Sequence, residues 1–177
     1  MIRLAQDSDV PRLQDIERAA GKVFAEVGMN AVAEDEPPTR EVLLGYLKDG
    51  RSWVHAGGDG VAMAYILVDV IDGCAHLEQI SVHPDHSRRR VGRGLVEHVA
   101  DWARERELAA LTLTTFRDVA WNGPYYERCG FRWLTDAEVT PGLRELRKAE
   151  AEHGLDRWPR GCMRRELSTT VPVARRP

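Results

Sequence analysis

The chain has 177 residues and is 43% hydrophobic, which is the size of one domain with a single substantial core. With 25 Lys and Arg against 28 Asp and Glu the net charge is -3, so no global basic field points to nucleic acid. No stretch approaches the ~18 consecutive apolar residues of a membrane span. Asp7, Asp9, Asp15 and Glu17 near the start fit neither a signal peptide nor a transit peptide, and Cys74, Cys129 and Cys162, scattered and without metal-ligand spacing, read as reduced thiols of a cytoplasmic protein.

Ile2–Leu4 predicts a short edge strand, and Ser8, Asp9 and Pro11 supply cap and first-turn chemistry for a helix whose apolar face is Leu13, Ile16, Ala19 and Ala20. Residues 28–38, with Glu34, Asp35 and Glu36 ahead of two prolines, read as a loop. Thr39 then precedes Val42, Leu43, Tyr46 and Leu47 at the spacing of a second, short helix. Residues 53–56, 60–70 and 75–82 are rich in Val, Ile, Ala and Tyr and are separated by glycine turns, which predicts consecutive antiparallel strands. Val91, Leu95, Val99, Trp102 and Ala103 mark a long amphipathic helix. Residues 108–114 are β-prone, 121–129 helical, 131–134 extended, 143–153 helical and 162–167 a last strand, with a tail from Ser168 expected to be disordered. This order predicts an α/β domain over residues 1–167, a mixed sheet with helices on its faces.

The turn ahead of the long helix reads HPDHSRRRVGRG. Free backbone N–H groups and the positive dipole end at a helix N-terminus make an anion site where small residues allow close approach. Arg88, Arg89, Arg90 and Arg93 add positive charge, so a pyrophosphate is a fitting ligand. Other nucleotide loops fit poorly: GxxxxGK[ST] is absent, and GxGxxG would need glycine where Glu97 stands.

The turn resembles the [QR]xxGxG or [QR]xxGxA signature of the GNAT N-acetyltransferase family. As a string, Arg89, Gly92 and Gly94 match. Counting by the family's spacing from Val82-His83-Pro84 instead puts Ser87 first, Arg90 at the first glycine, Gly92 at the second and Gly94 where alanine is common; this register is preferred. Arg90 then needs an ordinary negative φ or a side chain turned toward the phosphates. Residues 121–131, WNGPYYERCGF, are similar to the family's later signature, an Asn followed by a helix ending Tyr-Glu-Arg-x-Gly-Phe.

The resemblance implies a GNAT fold: a mixed sheet of about six to seven strands, largely antiparallel in its N-terminal half, helices on both faces, and a V-shaped splay after the fourth strand. It implies acetyl-CoA as cosubstrate, no metal, and direct attack by a primary amine in a ternary complex. Backbone groups of Ile80, Ser81 and Val82 would meet the pantetheine arm. Ser87, Arg88, Arg89, Arg90, Val91, Gly92, Arg93 and Gly94 would meet the pyrophosphate, and Asn122 the pantetheine or sulfur region. Tyr126 is implied as general acid, preferred to Tyr125, which reads as core or cleft wall.

An attacking ammonium, with a pKa of about 10 by analogy with lysine, must first lose a proton. Strict alternation over residues 75–82 puts His76, Glu78, Ile80 and Val82 on one face. Glu78 is the first candidate base, directly or through a water, followed by His76 and His83. Glu26, Glu34, Asp35 and Glu36 lie where the family walls its acceptor site, and Trp121 is placed along the cleft, whereas Trp53, Trp102 and Trp133 are assigned to the core. A small-molecule amine is the expected acceptor, with no nucleic-acid or membrane partner and a homodimer left open. A protein lysine or N-terminal amine as acceptor, and a non-catalytic acyl-CoA-binding module, stand as alternatives.

Overall fold

The structure is a computed structural model that describes residues 1–167. The tail expected to be disordered lies outside the described residues. Strand β1 (Ile2–Leu4) leads into helix α1 (Val10–Lys22), which buries Val10, Leu13 and Ile16 and carries Pro11 in its first turn. Proline suits that turn because its missing N–H would have no helical partner there. Arg3 fixes the entry to α1 with hydrogen bonds of 2.7 and 2.9 Å to the Asp9 carboxylate.

The segment 28–38, expected as a loop, contains a short helix, α2 (Asn30–Ala33), and a 3-10 turn at Val23–Val27 precedes it. Met29 between them is buried against Phe116 and Val119, so tertiary packing orders a segment whose own composition would not. Helix α3 (Arg40–Lys48) starts at Thr39, whose hydroxyl oxygen accepts from the Val42 N–H at 3.3 Å.

Strands β2 (Ser52–Ala56), β3 (Ala62–Ile71) and β4 (Cys74–Val82) pair antiparallel in succession. β3 and β4 are joined at Asp72 and Gly73, whose φ values of 49° and 73° suit a two-residue hairpin turn. Helix α4 (Val91–Arg104), strand β5 (Ala110–Phe116), helix α5 (Gly123–Arg128), strand β6 (Arg132–Trp133), helix α6 (Pro141–Glu152) and strand β7 (Arg160–Glu166) follow. The seven strands lie in the order β1-β2-β3-β4-β5-β7-β6, and every pairing is antiparallel except β4 with β5. α4 lays Leu95, Val96, Val99 and Ala103 on one face against Ile66, Val68, Leu111 and Leu113. α1 and α3 cover the other face, with Leu13, Ile16 and Leu43 against Tyr65 and Leu67. Each such Leu, Ile or Val contributes about 1.5–3 kcal/mol when fully buried, so the sheet is held between two apolar layers.

Two irregularities in β4 shape the site. First, the pairing with β3 runs Leu67↔Gln79 and then Val68↔Leu77, so Glu78 is an extra, bulged residue. The bulge overturns the strict alternation expected for this strand. Ala75, Leu77, Ile80 and Val82 pack with the α4 layer, whereas Ser81 stands opposite Tyr65 and His76 opposite Asp69, facing α1 and α3. Second, β4 and β5 pair only at Ala75↔Leu111 and His76↔Thr112. Beyond those pairs β4 stays with β3 as far as Val82, while β5 stays with β7 as far as Phe116. The two halves of the sheet part there in a V.

Candidate active site

The parting leaves the edges of β4 after His76 and β5 after Thr112 without backbone partners across the gap. Backbone N–H and C=O groups in that position are obligatory hydrogen-bonding groups awaiting a ligand or water.

The first turn of α4 stands beside the end of β4. A Cβ at Gly92 would come within 3.2 Å of both the Tyr125 hydroxyl and Val82 Cγ2, so only glycine lets the helix approach this closely without displacing a neighbour. At Gly94 the nearest atoms lie at 3.6–3.8 Å, ordinary contact that an alanine would tolerate. Arg88 and Arg90 have φ of 64° and 58°, the left-handed region. Arg90 therefore does not keep the negative φ set as one condition for an arginine there. The hydrogen-bonded surroundings must over-determine such a residue, at a cost of roughly 1–3 kcal/mol, and residues of this kind gather at ligand sites. Ser87, Arg88, Arg89, Arg90 and Arg93 are exposed, and Val91 and Gly92 are buried. Among the described residues none of these arginines forms an ion pair, and their charge adds to the positive end of α4, with Glu97 close enough to offset part of that of Arg93.

α5 faces this turn. Asn122 Oδ1 accepts from the Thr115 hydroxyl at 2.8 Å, and its backbone carbonyl accepts from the Tyr126 N–H at 3.0 Å. The fixed carbonyl leaves the Asn122 amide N–H groups as donors. Tyr126 is 9% exposed and packs edge-on between Tyr125 and Phe131, with centroids 5.2 and 5.8 Å away. Burial, and next Tyr125 and Cys129, push its phenol well above the usual tyrosine range, so it keeps its proton at neutral pH. Tyr125 turns its hydroxyl toward Gly92, and burial raises its phenol too. Trp121 stacks edge-on against Phe24 at 5.5 Å and stays 38% exposed.

On the sheet face toward α1, α3 and α6 the bulge brings Glu78 into a polar cluster. His76 is 1% exposed, and its Nδ1 lies 2.9 Å from the Thr112 hydroxyl. Burial pushes its imidazole down to about 4, so it is neutral at pH 7. Asp69 accepts from the Tyr46 hydroxyl and from Arg51, each at 2.9 Å. Glu150 is occupied by the Thr114 hydroxyl, by Arg147 at 2.6 Å and by Arg160 at 3.2 Å. Burial would raise that carboxyl, but Arg160, Thr114 and Arg147 outweigh burial and hold it below the usual range.

Glu78 differs from both. Among the described residues it accepts no hydrogen bond, and His76 Nε2 stands 3.9 Å away. Burial, reinforced by the negative charges of Asp69 and Glu150 and opposed by Arg160, pushes its carboxyl up to about 7. Its side chain is still 38% exposed, which leaves it a path to solvent.

His83 belongs to the turn before α4 rather than to this cluster; its Nδ1 accepts from the Asp85 N–H at 3.3 Å. Asp35 lines a cavity of about 270 Å³ between α2 and α6 together with Val32, Glu150, His153 and Trp158. Glu26, Glu34 and Glu36 are exposed and join no ion pair among the described residues. A larger cavity of about 510 Å³ lies at the C-terminal end of α4, lined by Trp53, Trp102 and Arg106 among others. It is a helix length of roughly 21 Å from the arginine turn and holds none of the candidate groups. Sequence reading missed Asp69, Thr112, Glu150 and Arg160, because a lone acid or threonine on a strand or helix carries no local signal of the partner it will meet.

A family model described as acetyltransferase (GNAT) family matches residues 14–131. Streptothricin acetyltransferase from Streptomyces lavendulae is 32% identical over 110 residues, covering 60% of this chain and 56% of that protein. The chain thus spans little more than half the length of this curated relative. The PaiA N-acetyltransferase from Thermoplasma acidophilum, solved in complex with coenzyme A, superposes with a TM-score of 0.69 at 16% identity over 94% of this chain and 98% of that one. The ribosomal-protein-S18-alanine N-acetyltransferase from Escherichia coli gives 0.66 at 20% identity over 98% and 97%.

Proposed function

Because the chain belongs to the acetyltransferase (GNAT) family, we propose that it transfers an acetyl group from acetyl-CoA to a primary amine of a small molecule. The observation that carries this reading is Glu78: the carboxylate of the polar cluster that among the described residues has no hydrogen-bond partner, set at the point where β4 and β5 part, with a proton affinity near neutrality. A base works best when its pKa lies near the operating pH, and Asp69 and Glu150 are already engaged.

In this reading the backbone edge of Ile80, Ser81 and Val82 receives the pantetheine arm, and one N–H there polarises the thioester carbonyl. The turn from Ser87 to Gly94 receives the pyrophosphate through the free N–H groups of α4 and the unpaired arginines. Two features support the register with Arg90 at the first glycine position: its left-handed φ, and a close approach that constrains Gly92 but not Gly94. Asn122 donates to the pantetheine region. Glu78 takes a proton from the acceptor ammonium and the freed nitrogen attacks the thioester carbon. As the C–S bond of the tetrahedral adduct breaks, the Tyr126 phenol protonates the departing thiolate, and the second proton leaving the new amide nitrogen restores the phenol through solvent. A neutral His76 does not compete for the proton.

A small-molecule acceptor is supported by the relative that acts, by its name, on streptothricin. Release of CoA thiol should therefore be followed with streptothricin, a panel of other amines, peptides and no acceptor. Stimulation by an amine and not by a peptide supports the proposal; a peptide-only response replaces it with protein acetylation. Binding of acetyl-CoA without any stimulated release favours a non-catalytic binding module.

A further inference from the structure

Glu17, on α1, collects donors from both strands of the β3–β4 pair just past the bulge. Its carboxylate accepts from the Tyr65 hydroxyl at 2.7 Å, from the Ser81 hydroxyl at 2.5 Å and from the Gln79 amide at 3.0 and 3.2 Å. Gln79 also donates to the Ser81 hydroxyl oxygen at 2.9 Å. Tyr65 and Ser81 face each other across the pair, and both are buried. Among the described residues Glu17 has no cationic partner, so every donor it gathers is a neutral hydroxyl or amide. Hydrogen bonds to an ionised group are about twice as strong as neutral ones.

Their position gives them a purpose. A strand is two-sided, and a one-residue slip exchanges its faces. Without the extra residue at Glu78, Ile80 and Val82 would point to α1, and Gln79 and Ser81 would enter the apolar layer under α4. The apolar residues resist that exchange from one side, and the Glu17 cluster resists it from the other. A bulge re-aims the side chain at its own position, so whatever locks the bulge also aims Glu78.

We propose that Glu17 is a positioning residue: it locks the β4 bulge and thereby fixes both the direction of the Glu78 side chain and the backbone edge that Ile80 to Val82 offer to acetyl-CoA. The proposal rests on the reading of that edge and of Glu78 given above.

The test uses the full chain with Glu17→Gln, which keeps the length of the side chain but removes the charge and turns an amide toward the donors. Amide hydrogen exchange over residues 79–82 is measured without ligand, acetyl-CoA affinity by calorimetry, and kcat/KM against pH with an accepted amine. Exchange over residues 79–82 is expected to accelerate, the Kd for acetyl-CoA to rise about 10-fold, kcat to fall about 10- to 100-fold and the pH midpoint to move, as for loss of charge-assisted hydrogen bonds at ~10-fold per 1.4 kcal/mol. Ser81→Ala is expected to move each readout the same way by less, and it carries the test if Glu17→Gln does not fold. A lowered Tm with exchange, Kd, kcat and pH midpoint all within twofold of wild type overturns the proposal and leaves Glu17 an anchor of α1. If the wild-type protein binds no acetyl-CoA, or Glu78→Gln keeps full activity, the functional reading fails by itself. Exchange over residues 79–82 in the unliganded variants then still decides the bulge: acceleration supports the lock and unchanged protection overturns it.

Discussion

Replacing Glu78 by Gln separates the chemical role of the carboxylate from its effect on stability, and the two should move in opposite directions. The group's folded pKa is raised from 4.5 to about 7. Its contribution to stability is therefore fully present below the unfolded value and is lost as pH rises through the folded one. Taken at face value the shift is worth about 3 kcal/mol at pH 8, at 1.36 kcal/mol per unit. With 38% of the side chain exposed, solvent screening reduces that to about 1 kcal/mol. Glu78→Gln should then raise Tm by about 2–4 °C at pH 8, and by less at pH 5, where the wild-type carboxyl is already protonated in the folded state. Activity should fall, because removal of a positioned base costs about 10²- to 10⁴-fold. Thiol release measured from pH 5.5 to 9.5 should show a wild-type limb rising through about pH 7. In the variant that limb should vanish, leaving only the acceptor's own titration, and the deficit should narrow at high pH as free amine accumulates. A wild-type profile with no limb near neutrality, or a variant within threefold of wild type at pH 7, would refute the assignment. A stability gain equal at both pH values would refute the electrostatic account of it.

Tyr126→Phe should lower thiol release by about 10²-fold or more while leaving acetyl-CoA affinity within a few-fold, since only the acid is lost; equal losses in binding and turnover would instead make Tyr126 a packing residue. Gly92→Ala forces its Cβ against the Tyr125 hydroxyl and Val82 at 3.2 Å and should weaken acetyl-CoA binding about 10-fold, whereas Gly94→Ala, with neighbours at 3.6–3.8 Å, should bind normally. The reverse order in calorimetry would favour the other register of the loop. Glu150→Gln removes one of the negative charges that raise Glu78, so the limb in kcat/KM should shift to lower pH with acetyl-CoA affinity unchanged. Because Arg160 loses its ionic partner and Arg147 keeps only Asp156, Tm should also fall, by an amount equivalent to about 1–3 kcal/mol.

The central elements were legible because their signals are local. The β3–β4 hairpin announces itself through Asp72-Gly73, and α4 through the spacing of Val91, Leu95 and Val99 on the buried side. The GNAT fold followed from two motifs, and the seven-stranded mixed sheet agrees with it. Alternation failed at β4 because a bulge is set by both strands together, and nothing in residues 75–82 alone marks Glu78 as the extra residue. The helix α2 was missed because Met29 finds its support on Phe116 and Val119, far along the chain. The insertion of β7 between β5 and β6 was hidden for the same reason: pairing partners are chosen in three dimensions. At the site, arginines and glycines in one turn were visible as a unit, whereas Glu17 meets Ser81 and Glu78 meets Glu150 only after folding.

The division of labour along the chain follows from where those partners lie. The family match ends at residue 131 and takes in the arginine turn, Asn122, Tyr126 and β4. Glu150 and Arg160 lie beyond it, on α6 and β7, and they pull the proton affinity of Glu78 in opposite directions. Arg160 is also held against the Phe116 ring at 4.3 Å, and Glu150 shares a cavity wall with Asp35. A carboxylate 38% exposed and, among the described residues, free of hydrogen bonds responds to charges placed nearby, so substitutions in this C-terminal segment should retune the proposed base without touching it. The β4 edge and the α4 turn, held by the bulge and by Gly92, have no such freedom: there a change alters geometry before it alters charge. Acceptor preference and pH response should accordingly vary with α6 and β7, and affinity for acetyl-CoA with the segment from β4 to α5.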